Sequence, residues 1–256
     1  MKFLSGKKIL ITGLLNNYSI AFGIAQSMFQ HGAELAFTYS DIRLKKKVKL
    51  LAKSFNSKIC LFCDVNYDLN IVKLFLKLSQ YWKKFDGFVH CLAFASRSQF
   101  KGDYLQVISK EDFEITHNIT SYSFVAMARE SLKMLNKNSA LITLSYLGAV
   151  RVIPYYNIMG VAKASLESNV RYVACSLGKY DIRVNAISSG PIRTVSSSVI
   201  KNFHQLLKKY KKNSPIKRDI SIHDIGNTAS FLCSNLSIGI TGQIIYVDNG
   251  FNITAI

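Results

Sequence analysis

Acidic residues are scarce in this chain. Fifteen Asp and Glu stand against 33 Lys and Arg, which leaves a net charge of +18 over 256 residues. A charge of that sign raises nucleic acid as a partner. The excess is spread along the chain, however, and is dense only in "RLKKKVK" (43–49) and "KKYKKN" (208–213). It travels with many Asn, Ile, Tyr and Phe, all residues of A/T-rich codons. Two readings of the charge stay open: compositional bias on solvated helix faces, or a basic surface for an acidic partner. Long apolar runs are missing too. No stretch reaches the roughly 18 residues that a membrane-spanning helix needs, so no membrane insertion is expected. "MKFLSGKKILITG" enters a strand and a glycine turn too soon to serve as a secretory signal, and the cytoplasm is the expected compartment.

Proline is equally rare. Pro154, Pro191 and Pro215 are scattered, and no linker, low-complexity run or repeat divides the chain. One domain is expected over residues 1–256. The five cysteines have no framework spacing, which suits a reducing compartment. Cys60 and Cys63 form "CLFC", but a strand would send residues three apart to opposite faces, which is wrong for chelation. The five histidines are dispersed, and no metal site is expected.

What is present is alternation. "KKILIT", "ELAFTY", "KICLFCDV", "GFVHCLAFA", "SALITLS", "IRVNAIS" and "GQIIYVD" read as seven strands. Helices fall between most of them: 19–32 with Ser19 as N-cap and Gly32 as stop, a basic "LKKKVKLLAKSF", "NIVKLFLKLSQYW", and about 111–135, 157–178, 198–210 and 222–233. This pattern predicts an α/β fold, a Rossmann-like, doubly wound, parallel seven-stranded sheet with helices on both faces. Ligands of such sheets bind beyond the carboxyl ends of the strands, at the switch point. The segments after the strands, at 13–19, 39–43, 64–65, 92–96, 145–148 and 188–194, are therefore the candidate site.

The first of these lacks G-x-G-x-x-G: Gly13 is followed next by Gly23. Gly13 can still make the tight turn, and the N–H groups at Ser19 and Ile20 can face a phosphate at the helix start. Asp64 can hold an adenine or ribose, or alternatively cap the next helix. The end of the second strand carries both Asp41 and Arg43, so it does not choose between NAD and NADP. In "PYYNIMGVAK", Tyr156 precedes Lys163 by seven residues and Tyr155 by eight. On a helix of 3.6 residues per turn, a step of seven keeps Tyr156 on the lysine's face and a step of eight does not.

Several stretches agree in order and spacing: "FLSGKKILITG", "SIAFGIAQ", "GAELAFTY", "FDGFVHCLAFA", "LITLSYLGA", "PYYNIMGVAKASLE", "IRVNAISSGPIRT" and "ITGQIIYVDNGF". Together they resemble the bacterial NADH-dependent enoyl-[acyl-carrier-protein] reductases, within the short-chain dehydrogenase/reductase superfamily. The resemblance spans essentially the whole chain. Its Tyr-x6-Lys spacing separates it from carbonyl-reducing relatives, which look like Tyr-x3-Lys with a catalytic serine. It implies Tyr156 at the substrate carbonyl, Lys163 on the nicotinamide ribose and Tyr146 lining the site. It implies NADH contacts at Gly13, Ser19, Ile20, Ser40, Asp64, Val65, Leu92, Ile192, Arg193, Thr194, Val195 and Ser196, and a substrate contact at Ala95. Ser40 stands where some members carry glutamine, and Asn249 replaces a glycine in "VDNGF".

The reaction implied is reduction of a trans-2-enoyl thioester carried on acyl carrier protein, by a homotetramer. "RTVSSSVIKNF" (193–203), within 193–210, reads either as a substrate-covering loop or as a surface connection. Lys201, Lys208, Lys209, Lys211 and Arg193 would form a basic rim for the acidic carrier. Two rivals remain: a reductase of ketones or alcohols on the same fold, and a non-catalytic basic protein that binds nucleic acid.

Overall fold

In the computed structural model, which describes residues 2–195, 197 and 202–254, seven strands form one parallel sheet. They are β1 (Lys8–Ile11), β2 (Glu34–Tyr39), β3 (Cys60–Phe62), β4 (Phe85–His90), β5 (Leu135–Tyr146), β6 (Arg183–Ser189) and β7 (Ile244–Val247). Their order is β3-β2-β1-β4-β5-β6-β7. β1 pairs with β2 on one side and β4 on the other, so the chain reverses its winding there. That reversal opens a crevice at the carboxyl edge.

The helices are α1 (Ile20–Gln30), α2 (Lys45–Lys53), α3 (Asp68–Leu78), α4 (Tyr104–Val107), α5 (Lys110–His117), α6 (Ser123–Ser131), α7 (Asn157–Gly178), α8 (Phe203–Asn213) and α9 (Ile222–Cys233). Strands such as "KILI" and "ELAFTY" are rich in apolar, branched or aromatic side chains that suit a sheet covered on both faces. One core joins the sheet to α3, α6 and α7 through Ile71, Leu74, Phe124, Met127, Leu166 and Val170. The other joins it to α1, α2 and α9 through Ile24, Met28, Val48, Ile225 and Leu232. Cys63 belongs to the first core and Cys60 packs against the second, on opposite faces.

α1 and α9 approach until their backbones nearly touch. A Cβ on Gly23 would lie 2.4 Å from the Ile222 carbonyl oxygen, and one on Gly226 would lie 2.4 Å from that of Gly23. Gly23→Ala is therefore expected to destabilise the protein by roughly 1–3 kcal/mol, as overpacking does. Denaturant unfolding measures it, and an unchanged midpoint would show that the two helices separate freely.

Four boundaries differ from the sequence reading. The apolar run after β4 leaves the sheet at residue 91, because the Thr12 hydroxyl accepts from the Cys91 N–H and that of Thr120 from the Phe94 N–H. The helix expected over 111–135 is broken into α5, a π-turn at Asn118–Tyr122, α6 and a 3₁₀ turn. There the Ser123 hydroxyl donates to the Ile119 carbonyl, and the Ser121 hydroxyl turns instead to Ser165 on α7. β5 begins at Leu135 rather than at 139, and α8 runs Phe203–Asn213 rather than 198–210.

Candidate active site

A third apolar cluster lies apart from the two cores, at the carboxyl edge. It contains Tyr146, Leu147, Tyr156, Met159, Phe100, Tyr210 and Phe251, with Ala95 and Leu206 packed against it. β5 delivers Tyr146 as its last residue, and a short turn (Leu147–Ala149) follows. The rings of Tyr146 and Tyr156 meet edge to face, with centroids 4.8 Å apart. Gly148 makes this possible, since a Cβ there would lie 2.5 Å from the Tyr156 ring.

The helix register does not reach Tyr156. α7 begins at Asn157, with φ of +40°, and Tyr155 is left-handed at +64°. Tyr156 therefore sits on a tight turn ahead of the helix, and burial rather than periodicity separates the two tyrosines: Tyr156 is buried and Tyr155 half-buried. The turn is fixed to the preceding loop by Asn157, whose side-chain amide donates to the Gln99 carbonyl at 2.8 Å.

Burial raises both phenols, that of Tyr146 to about 12 and that of Tyr156 further still, with the neighbouring ring oxygen adding to the effect. Both remain protonated donors at neutral pH. Lys163 is buried in α7, and its ammonium donates to the Leu144 carbonyl at 2.7 Å. Burial lowers its pKa to about 8, against the pull of the nearby Cys91 and Glu167. The Glu167 carboxylate accepts from the Ser145 hydroxyl at 2.5 Å, and burial raises its pKa. Among the described residues no hydrogen bond joins Lys163 to a tyrosine.

The expected cofactor residues line the same edge. Gly13 has φ of +77°, and a Cβ would lie 2.2 Å from the Cys91 carbonyl oxygen, so only glycine fits this turn. Ser19 caps α1 by accepting from the Phe22 N–H, and Ile20 is the first residue of the helix. Ser40 is exposed at the end of β2, beside Asp41. The Asp41 carboxylate accepts from the Arg43 Nε at 2.7 Å and from a second guanidinium nitrogen, which lowers its pKa to about 2. Asp64 does not cap α3, whose N-cap is Tyr67. One Asp64 oxygen accepts from the Asn66 N–H, and the residue stays half-exposed beyond β3. Val65 is buried and Leu92 half-buried against the first core. Past β6, Ile192 is buried, Arg193 and Val195 are exposed, and the Arg193 guanidinium meets His204 at 3.1 Å. The Thr194 N–H donates to the Ser197 hydroxyl at 2.8 Å. Ser196, Lys201 and residues 198–200 of the expected covering loop lie outside the described residues.

Sequence reasoning missed Tyr210 and Glu167, and placed Ser145 only within the 145–148 segment. A signal existed for the first two. Tyr210 falls on the apolar stripe 203, 206, 207, 210 of α8, and Glu167 stands four after Lys163.

The winding of this sheet, with a tyrosine–lysine pair at its carboxyl edge, defines a short-chain dehydrogenase/reductase. The family described as Enoyl-(Acyl carrier protein) reductase matches residues 13–252. The Escherichia coli (strain K12) protein named Enoyl-[acyl-carrier-protein] reductase [NADH] FabI is 54% identical over 255 residues, covering 100% of this chain and 97% of that protein. Its namesake in Buchnera aphidicola subsp. Schizaphis graminum is also 54% identical, over 100% of this chain and 98% of its own. The crystal structure of the Aquifex aeolicus enoyl-[acyl-carrier-protein] reductase (NADH) superposes with a TM-score of 0.96 at 44% identity, covering 99% of both chains. That of the Bacillus cereus enoyl-acyl carrier protein reductase with NADP+ and indole naphthyridinone gives 0.97 at 41% identity, covering 100% of both. The chain belongs to the enoyl-(acyl carrier protein) reductase family.

Proposed function

We propose that this chain, acting as one reductase unit over residues 1–256, reduces the trans-2 double bond of enoyl thioesters on acyl carrier protein with NADH, in fatty-acid elongation. The observation that carries this reading is the buried pair Tyr146 and Tyr156 beside Ala95 in one apolar cluster, with Lys163 buried in the helix that follows. NADH supplies the hydride that adds to the β-carbon. Charge then collects on the thioester oxygen as an enolate, and the α-carbon takes up a proton from solvent as the thioester carbonyl re-forms. Tyr156 donates to that oxygen as the charge forms, and its raised pKa keeps the proton in place beforehand. Lys163 holds the nicotinamide ribose with the N–H bonds it does not spend on Leu144. Gly13, the start of α1 at Ser19 and Ile20, and Asp64 hold the rest of the dinucleotide, with Ser40, Val65, Leu92, Ile192, Arg193, Thr194, Val195 and Ser196 around it. The fit to a dinucleotide rests on Ser188, a buried hydroxyl near the end of β6 with no hydrogen-bond partner among the described residues, and on the Gly13 turn, whose missing Cβ lets the backbone pass the Cys91 carbonyl. The Asp41–Arg43 pair favours NADH, because it neutralises the cation that a 2′-phosphate would need.

The assay is NADH oxidation at 340 nm with an enoyl thioester, with NADPH and a 3-oxoacyl thioester run beside it. Turnover confined to the 3-oxoacyl substrate would replace this reading with carbonyl reduction.

Among the described residues no helix is long and apolar enough to cross a membrane. The proposed compartment is the cytoplasm, which suits five unpaired thiols. The proposed assembly is a homotetramer. β7 is the sheet's edge, and all four of its residues are only half-buried. Light scattering is expected to give the mass of four chains, and a stable monomer at micromolar concentration removes the claim.

The carrier protein is acidic, and α8 turns Lys208, Lys209 and Lys211 outward, with Arg193 exposed nearby. Asp219, 3.7 Å from Lys211, offsets one of these charges. Steering by this rim requires that activity on carrier-bound substrate fall with ionic strength, since screening at 0.15 M acts beyond about 8 Å. A carrier-free thioester is expected to respond much less. Reversing Lys208 and Lys209 is expected to reproduce the difference at low salt. Parallel losses on both substrates, or no loss on either, would assign the charge to composition instead.

A further inference from the structure

Tyr210 is a buried phenol of the tyrosine cluster that sequence patterning did not connect with the site. It lies on α8, well apart in sequence from β5 and α7, and is 5% exposed. Its hydroxyl donates to the Tyr146 hydroxyl at 3.3 Å. Its ring stacks on Phe251, with centroids 3.7 Å apart and planes at 19°. Its carbonyl accepts from both the N–H and the hydroxyl of Ser214, at 2.8 and 2.7 Å, which closes the end of α8. Just beyond, Pro215 lies against Gly250, where a Cβ would stand 2.9 Å from the proline ring. The phenol is thus held by its ring, its backbone and the turn that follows it.

We propose that Tyr210 is a positioning residue for the reduction, acting through Tyr146. It fixes the Tyr146 hydroxyl as an acceptor, so that the Tyr146 proton is left for the oxygen of a bound acyl thioester. This rests on the function proposed above. A phenol has one proton to give and can accept as well. Because Tyr210 gives its proton to Tyr146, Tyr146 does not spend its own on Tyr210. Among the described residues no side chain or carbonyl accepts the Tyr146 proton either. A buried donor without an acceptor is costly, so a thioester oxygen entering the cluster meets a donor that is already oriented and unsatisfied. The accepted hydrogen bond also favours the electron-rich form of Tyr146 and opposes the upward push of burial on its pKa, which makes it the stronger donor. Tyr156, whose ring packs against Tyr146, then has a partner of fixed orientation. No bond is made or broken at Tyr210.

The test is a cycle of Tyr210→Phe, Tyr146→Phe and the double variant in the full chain. Phenylalanine keeps the ring on Phe251 and removes only the hydroxyl. Steady-state NADH oxidation is measured with a carrier-free enoyl thioester, at enough enzyme to quantify the Tyr146→Phe background. Tyr210→Phe is expected to lower kcat roughly three- to tenfold, the span of a single neutral hydrogen bond, with the KM for NADH unchanged. In the Tyr146→Phe background the same substitution is expected to change nothing. In ¹³Cζ-tyrosine NMR spectra, the resonance that Tyr146→Phe removes is expected to move in Tyr210→Phe. Equal losses in both backgrounds would make Tyr210 a packing residue, and no loss in either, or an unmoved resonance, would overturn the proposal. Absence of enoyl turnover in the parent chain would instead remove the function on which it rests.

Discussion

Tyr156→Phe is expected to lower turnover of an enoyl thioester about 10²–10³-fold, the cost of removing one donor to a developing oxyanion. Tyr155→Phe is expected to cost far less. Phenylalanine at 156 keeps the ring that packs on Tyr146 and Gly148, so the fold of the turn survives and only the hydroxyl is lost. That hydroxyl gives its proton to no described residue of the chain and is held protonated by burial. It is therefore available in the transition state and idle in the free enzyme, which is where a donor has the largest effect on kcat. Tyr155 has a left-handed backbone and is only half-buried, whereas Tyr156 is buried within the cluster. NADH affinity is expected to be kept in both variants, since neither phenol carries the ribose role assigned to Lys163. Stopped-flow single turnovers with NADH in excess separate the chemical step from release. Equal losses at 155 and 156 would sink the assignment.

Much of the fold was legible because local signals were strong. The limits of α7 and α9 fall at 157–178 and 222–233, where the sequence pattern put them. Ser221 and Asp224 bond reciprocally at the start of α9, and α7 keeps an apolar stripe for its whole length. What failed to read was set by distant partners. The run after β4 is as apolar as the strand before it, and only Thr12 and Thr120, far away in sequence, draw it off the sheet. The break between α5 and α6 depends on Ser121 finding Ser165 and Asn169 on α7, which no local pattern records.

The site divides in the same way. Gly13, Ser19 and Asp64 follow strands and could be read from position alone. Tyr156 was selected over Tyr155 by a helical register that the structure does not extend to it; the left-handed backbone at Tyr155 and Asn157 invalidates the spacing argument, and burial supplies the reason instead. Asp64 had two readings from sequence, and the cap at Tyr67 removes one of them. Tyr210 reaches Tyr146 across 64 residues, a contact that only the folding of α8 over the carboxyl edge creates.

Replacing Lys163 by methionine is expected to stabilise the cofactor-free protein while it abolishes turnover. The lysine is 5% exposed, and burial brings its pKa down from 10.5 to about 8. Between those two values the unfolded chain holds a proton that the folded chain has released, so stability contributed by this group rises with pH across that window. Below pH 8 the folded chain carries the buried charge at full cost. At about 1.4 kcal/mol per pKa unit, that cost is on the order of 3–4 kcal/mol at neutral pH. Methionine keeps most of the side-chain volume and removes the charge, though it also gives up the bond to the Leu144 carbonyl, worth about 1 kcal/mol. The net gain expected is about 2–3 kcal/mol, or a rise of several degrees in the melting temperature at pH 7. The gain should shrink as the pH is raised towards 10, where the parent lysine is neutral. NADH reverses the ranking. At about 1,000 times its Kd a ligand stabilises the folded state by about 4.1 kcal/mol, so the parent melts higher with NADH, and the variant should hardly respond. A Lys163→Met protein that melts below the parent at pH 7 would show that the ammonium is not costly to bury. One that binds NADH with parental affinity would show that the ribose is held by other residues.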